Sequence, residues 1–137
     1  MMLFEKSLRE GYAKRIAKDE LRAKSLMKTA EDALRSVKDL PLQPYNYNTI
    51  LRELYEALRQ YCEALGYLQG YKFSSHESIT YFLKEIVRDD HLSLRFDQYR
   101  KLRNDLNYYG RAISQETIQK ALIEVPRMID TVRKLIK

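Results

Sequence analysis

The chain has 137 residues, 45% of them hydrophobic and 32% charged, which fits a single soluble domain over residues 1–137 and is too apolar for a disordered chain. Only 4 Gly and 3 Pro are present, whereas sandwiches and barrels spend many such residues on turns, so the composition argues against an all-β fold. The net charge of +6 divides as +3, −2 and +5 over residues 1–40, 41–90 and 91–137, and in an antiparallel bundle the two basic ends would share a surface suited to nucleic acid or another anion.

The opening stretch becomes charged at Glu5 and builds no signal-peptide core, and no run approaches membrane-spanning length. The expected location is the cytoplasm, with no membrane partner. Leu8, Tyr12 and Ile16, followed by Ala23, Leu26, Ala30, Leu34 and Val37, form one stripe of a long first helix. Asp39–Asn48, with two prolines and two asparagines, is the longest irregular connection, and Asn48 is the expected N-cap of the next helix.

The second helix carries Leu51, Leu54, Tyr55, Leu58, Cys62 and Leu65 on one side, and Gly70 supplies a left-handed cap just past its end. Cys62 is the lone cysteine and reads as a buried packing residue in a reducing compartment. Ser74-Ser-His-Glu77 has the spacing of a capping box and opens a third helix, buried through Ile79, Phe82, Leu83 and Ile86. Asp89-Asp-His91 interrupts the pattern, and a fourth helix then runs through Phe96, Tyr99, Leu102 and Leu106 to a stop at Gly110. Ser114 caps the last helix, with Ile113 and Ile118 spaced as a hydrophobic staple and Pro126 expected to kink it without breaking it. No strand-like alternation competes, and the expected fold is all-α: an antiparallel four-helix bundle with an additional short helix.

Standard enzyme motifs are missing from this pattern. His76 and His91 stand 15 residues apart with no i, i+4 histidine and no cysteine pair, so neither a metal nor another cofactor is expected, and His76 reads as a solvated or cap-supporting residue. The tyrosines at positions 45, 47, 55, 61, 67 and 71 surround the second helix and read as mixed core and interface packing. The stretch Phe96–Arg111 is unusually dense in Arg, Asn, Asp and Tyr, and Arg100, Arg103 and Asn107 align by three and four on one helix side. Such a face could bind phosphate, or could simply be solvated.

Two blocks over most of residues 48–125 carry a family resemblance. Leu54-Tyr-Glu-Ala-Leu-Arg-Gln-Tyr-Cys-Glu-Ala-Leu65, with Gly70-Tyr-Lys and Ser74-Ser-His-Glu77 after it, forms the first. Arg100-Lys-Leu-Arg-Asn-Asp-Leu-Asn-Tyr-Tyr-Gly110, followed by Ile113-Ser-Gln-Glu116, forms the second. In this order and separation they resemble the HEPN domains, small helical-bundle proteins of prokaryotes, and in particular their short stand-alone members.

The resemblance implies a homodimer with two facing motifs across one RNA cleft. Many HEPN proteins are metal-independent ribonucleases with an Arg, a polar neighbour and a His four to six positions on. Here Arg103 and Asn104 take the first two places, while Tyr108 stands where the His would be. A phenol with an ordinary pKa of about 10 is protonated at neutral pH, and the missing base term is commonly worth about a hundredfold or more in rate. Other HEPN proteins pair with a small nucleotidyltransferase as toxin and antitoxin, or as a substrate-binding partner. In some pairs a Tyr two places after the motif His is modified with nucleotide. That place is Gly110 here, with Tyr108 and Tyr109 as adjacent candidates.

Three functions follow from these residues. The first is a homodimeric HEPN module working with a nucleotidyltransferase and carrying a degenerate ribonuclease motif. The second is an active metal-independent endoribonuclease toxin using Arg103, Asn104 and Tyr108. The third is a plain nucleic-acid- or nucleotide-binding bundle. In each, Arg100, Arg103, Asn107 and Arg111 are the candidate phosphate ligands.

Overall fold

A computed structural model describes residues 2–109 and 112–137, and for Tyr108 and Tyr109 the backbone only. The expected helix stop at Gly110, the candidate Arg111 and the side chains of Tyr108 and Tyr109 lie outside the described residues. The fold is mostly helical, with six helices among the described residues: α1 (Leu3–Glu10), α2 (Glu20–Asp39), α3 (Tyr47–Gln69), α4 (His76–Glu85), α5 (Asp90–Tyr109) and α6 (Gln115–Ile136). A two-stranded antiparallel ribbon, β1 (Ala13–Arg15) and β2 (Tyr71–Phe73), pairs Ala13 with Phe73 and Arg15 with Tyr71.

The ribbon and α1 correct two expectations. The anticipated first helix is interrupted between Leu8 and Ala23: Gly11 ends α1 at φ 81°, a conformation a side chain resists, and Asp19 opens α2 by accepting from the Arg22 amide at 2.9 Å. The Leu8, Tyr12, Ile16 spacing matches a helical stripe by coincidence, because Ile16 follows the strand and its amide donates to the Gly70 carbonyl at 2.9 Å. The strands are three residues each, too short for alternation to declare itself.

Helix α3 is the centre of the molecule. Its apolar residues are buried on nearly every side, and it contacts α2, α6, α5, α4 and β2. Small residues on α2, among them Ala23, Ala30 and Ala33, are buried and let that helix approach α3 closely, with Ala23 grouped with Ala64 and Tyr67. Gly66 serves the same end on the opposite side: a Cβ there would stand 2.4 Å from Cε2 of Phe73, so the ring of β2 sits where a side chain would be. Phe4, Phe73 and Phe82, with Tyr71, form an aromatic cluster with centroids 5.1 to 6.3 Å apart that joins α1, the ribbon and α4. Cys62 is fully buried, which pushes its thiol above the ordinary range.

The caps differ from expectation at two starts. The N-cap of α4 is Ser75, whose hydroxyl accepts from the Ser78 amide at 3.1 Å, while Ser74 instead donates to the Gly11 carbonyl at 2.8 Å. Glu77 is free of the box and accepts from the Tyr81 hydroxyl. Asn48 lies inside α3, because a 3-10 turn over Pro44–Asn46 winds directly into it, and Asn46 donates to the Pro41 carbonyl at 3.0 Å. Gly70 does cap α3 with φ 88°, Ser114 does cap α6 through the Thr117 amide at 3.1 Å, and α6 continues through Pro126.

Polar ties fasten the outer helices. The Tyr61 hydroxyl donates to Glu31, and Arg133 pairs with both Glu31 and Asp130, so α2, α3 and α6 meet at one network. Burial alone would raise the Glu31 carboxyl, but the bonds from Tyr61 and Arg133 outweigh it and hold Glu31 below its ordinary value. Glu85 receives the Leu3 and Phe4 amides at 3.1 and 2.7 Å and so caps α1 from α4. No helix among the described residues is long and apolar enough to cross a membrane.

Candidate phosphate-binding site

The site is assembled from α3, the start of α4 and the middle of α5. On α3, Tyr55 and Arg59 are four residues apart and therefore share a side, and Glu56 and Glu63 flank Arg59 at three and four residues and both pair with it. Tyr55 is 1% exposed and stacks at a tilt against Phe96 of α5, with centroids 5.7 Å apart. Its hydroxyl meets Nδ1 of His76 at 3.0 Å.

His76 is the first residue of α4, and its position is fixed from three directions. The ribbon delivers the chain, the Ser74 amide donates to the Tyr12 carbonyl at 2.9 Å, and the Ser78 hydroxyl donates to the same carbonyl at 3.0 Å. The α4 helix is then tied to α5 where the Thr80 hydroxyl donates to Asp97 at 3.1 Å and the Ser93 hydroxyl donates to the Thr80 carbonyl at 2.9 Å. Asp97 passes that order on to Arg100, whose Nε donates to it at 2.8 Å.

Electrostatics divide the three arginines. Arg59 is neutralised by Glu56 and Glu63. Arg100 is held by Asp97 at 2.7 Å and Glu77 at 3.7 Å, with Lys101 also on Asp97 at 3.1 Å. Burial by itself would raise the Asp97 carboxyl, yet the bonds from Arg100 and Lys101 keep it below its usual value. Arg103, half-buried one turn further along α5, carries no ion pair among the described residues.

The charge of Arg103 is felt at both Tyr55 and His76. Burial lowers His76 first, then the positive charges of Arg59 and Arg103, with Arg100 adding to them against the opposing pull of Glu56, and its pKa falls to about 4. The ring is neutral at physiological pH. Burial raises the Tyr55 phenol, so its proton stays in place.

Of the residues expected from sequence, Arg103 and Asn104 are half-buried neighbours on α5, and Asn107 is exposed one turn on. Arg100 shares the helix side with Arg103 but is already occupied by carboxylates. Sequence reading passed over Tyr55, Arg59 and His76. The i, i+4 spacing of Tyr55 and Arg59 was a visible signal, whereas the pairing of Tyr55 with His76 bridges 21 positions and has no local signature.

Concavities elsewhere hold none of these groups: one of about 470 Å³ lies between α2 and α6 beside Leu34 and Pro126, and one of about 410 Å³ between α5 and α6 beside Tyr99 and Lys120. Arg103 and His76 are each half-buried. Compared with known proteins, the chain matches no family model, no curated protein and no solved structure.

Proposed function

We propose that this chain is a HEPN-like RNA-binding module whose four long helices, α2, α3, α5 and α6, form the antiparallel bundle of that family, and which acts as a homodimer with a small nucleotidyltransferase partner. Arg103 binds a phosphate of the RNA backbone, and the ribonuclease motif is degenerate. The observation that carries this reading is the state of Arg103: a half-buried guanidinium with no carboxylate of its own among the described residues, beside two arginines that are fully paired. A half-buried cation without a partner is costly unless an anion completes it, and a guanidinium presents the planar fork that phosphate oxygens match.

The bond to Tyr55 and the low pKa of His76 support binding over cleavage. Position 108 offers a phenol where the family's base would stand, and the one described imidazole nearby is a poor base at neutral pH. Nucleotide transfer to Tyr108 or Tyr109 is the weaker part of this reading, because the family's acceptor place is Gly110 here.

The test is an RNA-binding titration of the parent protein and Arg103→Ala, with far-ultraviolet circular dichroism on both. The expected result is an unchanged spectrum with binding reduced about tenfold or more. Equal binding by the variant would overturn the reading. Light scattering on the same samples is expected to give twice the 16.4 kDa chain mass.

A further inference from the structure

We propose that the cavity of about 470 Å³ between α2 and α6 binds a small amphipathic monoanion, with its carboxylate at Lys38 and its apolar body against Leu54. The cavity holds none of the residues of the phosphate-binding site and is independent of the RNA-binding reading.

Three helices build its walls. Leu34 and Val37 of α2, Leu54 of α3, and Leu122 and Pro126 of α6 line it. Val37 and Leu54 belong to the core, and Leu34 and Leu122 pack against that core, so the cavity opens onto the apolar interior of the fold. Pro126 brings no amide hydrogen to the wall. A volume of this size with such a lining suits a small molecule with an apolar body.

The charges around it define the head group. Glu31, Arg35 and Lys38 stand at i, i+4 and i+7 of α2 and so share one side of the helix. At the Glu31 end, Arg133 pairs with both Glu31 and Asp130, and the Tyr61 hydroxyl donates to Glu31. These two carboxylates balance Arg133 and Arg35, so that end is neutral as a whole and its acids are already engaged. Lys38 lies two helical turns from Glu31, about 10 Å along the axis. It forms no ion pair among the described residues. The lining thus carries one surplus positive charge, at the end opposite the Arg133 network, with the apolar stretch between the two. A single carboxylate answers that charge, while the attached body displaces water from Leu34, Leu54 and Leu122. A cation would meet repulsion at Lys38, and a second negative charge on the ligand would find no partner in the lining.

The test is isothermal titration of the full chain at neutral pH with decanoate, and with decylammonium as the same body carrying the opposite charge, both below micellar concentrations. One decanoate is expected per chain, with decylammonium about tenfold weaker or more. Lys38→Glu, a change at an exposed position, is expected to weaken decanoate about tenfold or more and to reverse the preference between head groups. Leu34→Trp fills the cavity and is expected to abolish binding of both. No binding of decanoate by the parent, equal affinity for the two head groups, or parent-like decanoate binding by Lys38→Glu or by a folded Leu34→Trp would each overturn the proposal. Should Leu34→Trp not fold, amide shifts of the parent on adding decanoate decide the matter: changes centred on Leu34 and Leu122 support the site, and changes centred elsewhere refute it. Sedimentation with phosphatidylglycerol vesicles in the absence of decanoate binding would assign the apolar anion to a lipid surface and would also overturn the proposal.

Discussion

Tyr55 and His76, 21 positions apart on different helices, are joined by a 3.0 Å hydrogen bond between a buried phenol and Nδ1 of a half-buried imidazole. With the phenol as donor, that bond stabilises the neutral ring, because protonating Nδ1 would break it. Tyr55→Phe is therefore expected to raise the His76 pKa from about 4 toward the ordinary value, while the charges of Arg59 and Arg103 keep it below 6.5. An NMR titration of the imidazole carbons in parent and variant measures the difference. An unmoved pKa would mean the bond has no hold on the ring.

The same shift makes the fold pH-dependent in a defined window. The folded state holds His76 neutral down to about 4, whereas the unfolded chain takes up the proton near 6.5. Between those values the unfolded state binds more protons, so stability is full above 6.5 and declines as pH falls toward 4. His76→Gln removes this slope. Urea unfolding at a series of pH values should show a flatter profile for the variant between 4 and 6.5. From about 4.5 downward both proteins also lose stability alike, since Glu31 and Asp97 are held under their ordinary values of 4.5 and 3.8 by Tyr61 and Arg133 in one case and by Arg100 and Lys101 in the other.

Gly66 and Phe73 set the distance between α3 and the ribbon. Gly66→Ala places a methyl 2.4 Å from the Phe73 ring and is expected to destabilise the fold by about 1–3 kcal/mol despite the better helix propensity of alanine. Adding Phe73→Leu should recover part of the loss, so that the double variant is more stable than the two single effects predict. Thermal melts of the four proteins measure the coupling, and strict additivity would show that the two positions do not touch.

The α4 cap separates two adjacent serines. Ser75→Ala removes the acceptor of the Ser78 amide and is expected to cost about 1 kcal/mol, whereas Ser74→Ala removes an exposed bond to the Gly11 carbonyl and is expected to stay within about 0.5 kcal/mol. Because His76 is the next residue, Ser75→Ala should also broaden the His76 resonances. Equal melting temperatures for the two variants would argue against the cap.

Much of the helical content was legible because apolar residues recur at helical spacing along α3, α5 and α6 and Gly70 and Ser114 punctuate the chain, although α3 is buried on nearly every side and not on one. The N-terminal third was not. Gly11 and Asp19 are ordinary stop and start signals, but Leu8, Tyr12 and Ile16 happen to keep helical spacing across them, and periodicity outweighed punctuation. The capping-box spacing pointed to Ser74, which alone has Glu three positions on, but beside the β1–β2 ribbon Ser74 bonds the Gly11 carbonyl and Ser75 caps the helix. On α5, helical spacing singled out Arg103 with Arg100 and Asn107, whereas Asn104 entered only through the family resemblance. His76 was set aside as a solvated or cap-supporting residue, because its bond to Tyr55 spans 21 positions and does not exist before the chain folds.

The proposed function centres on RNA held by Arg103 and left intact. The most direct measurement incubates end-labelled RNA with the parent protein and with Arg103→Ala, then resolves bound from free RNA on a native gel and intact from cut RNA on a denaturing gel. The expected result is uncut RNA bound by the parent and released by the variant. RNA cut by the parent and spared by Arg103→Ala, or RNA bound equally by both, would contradict it.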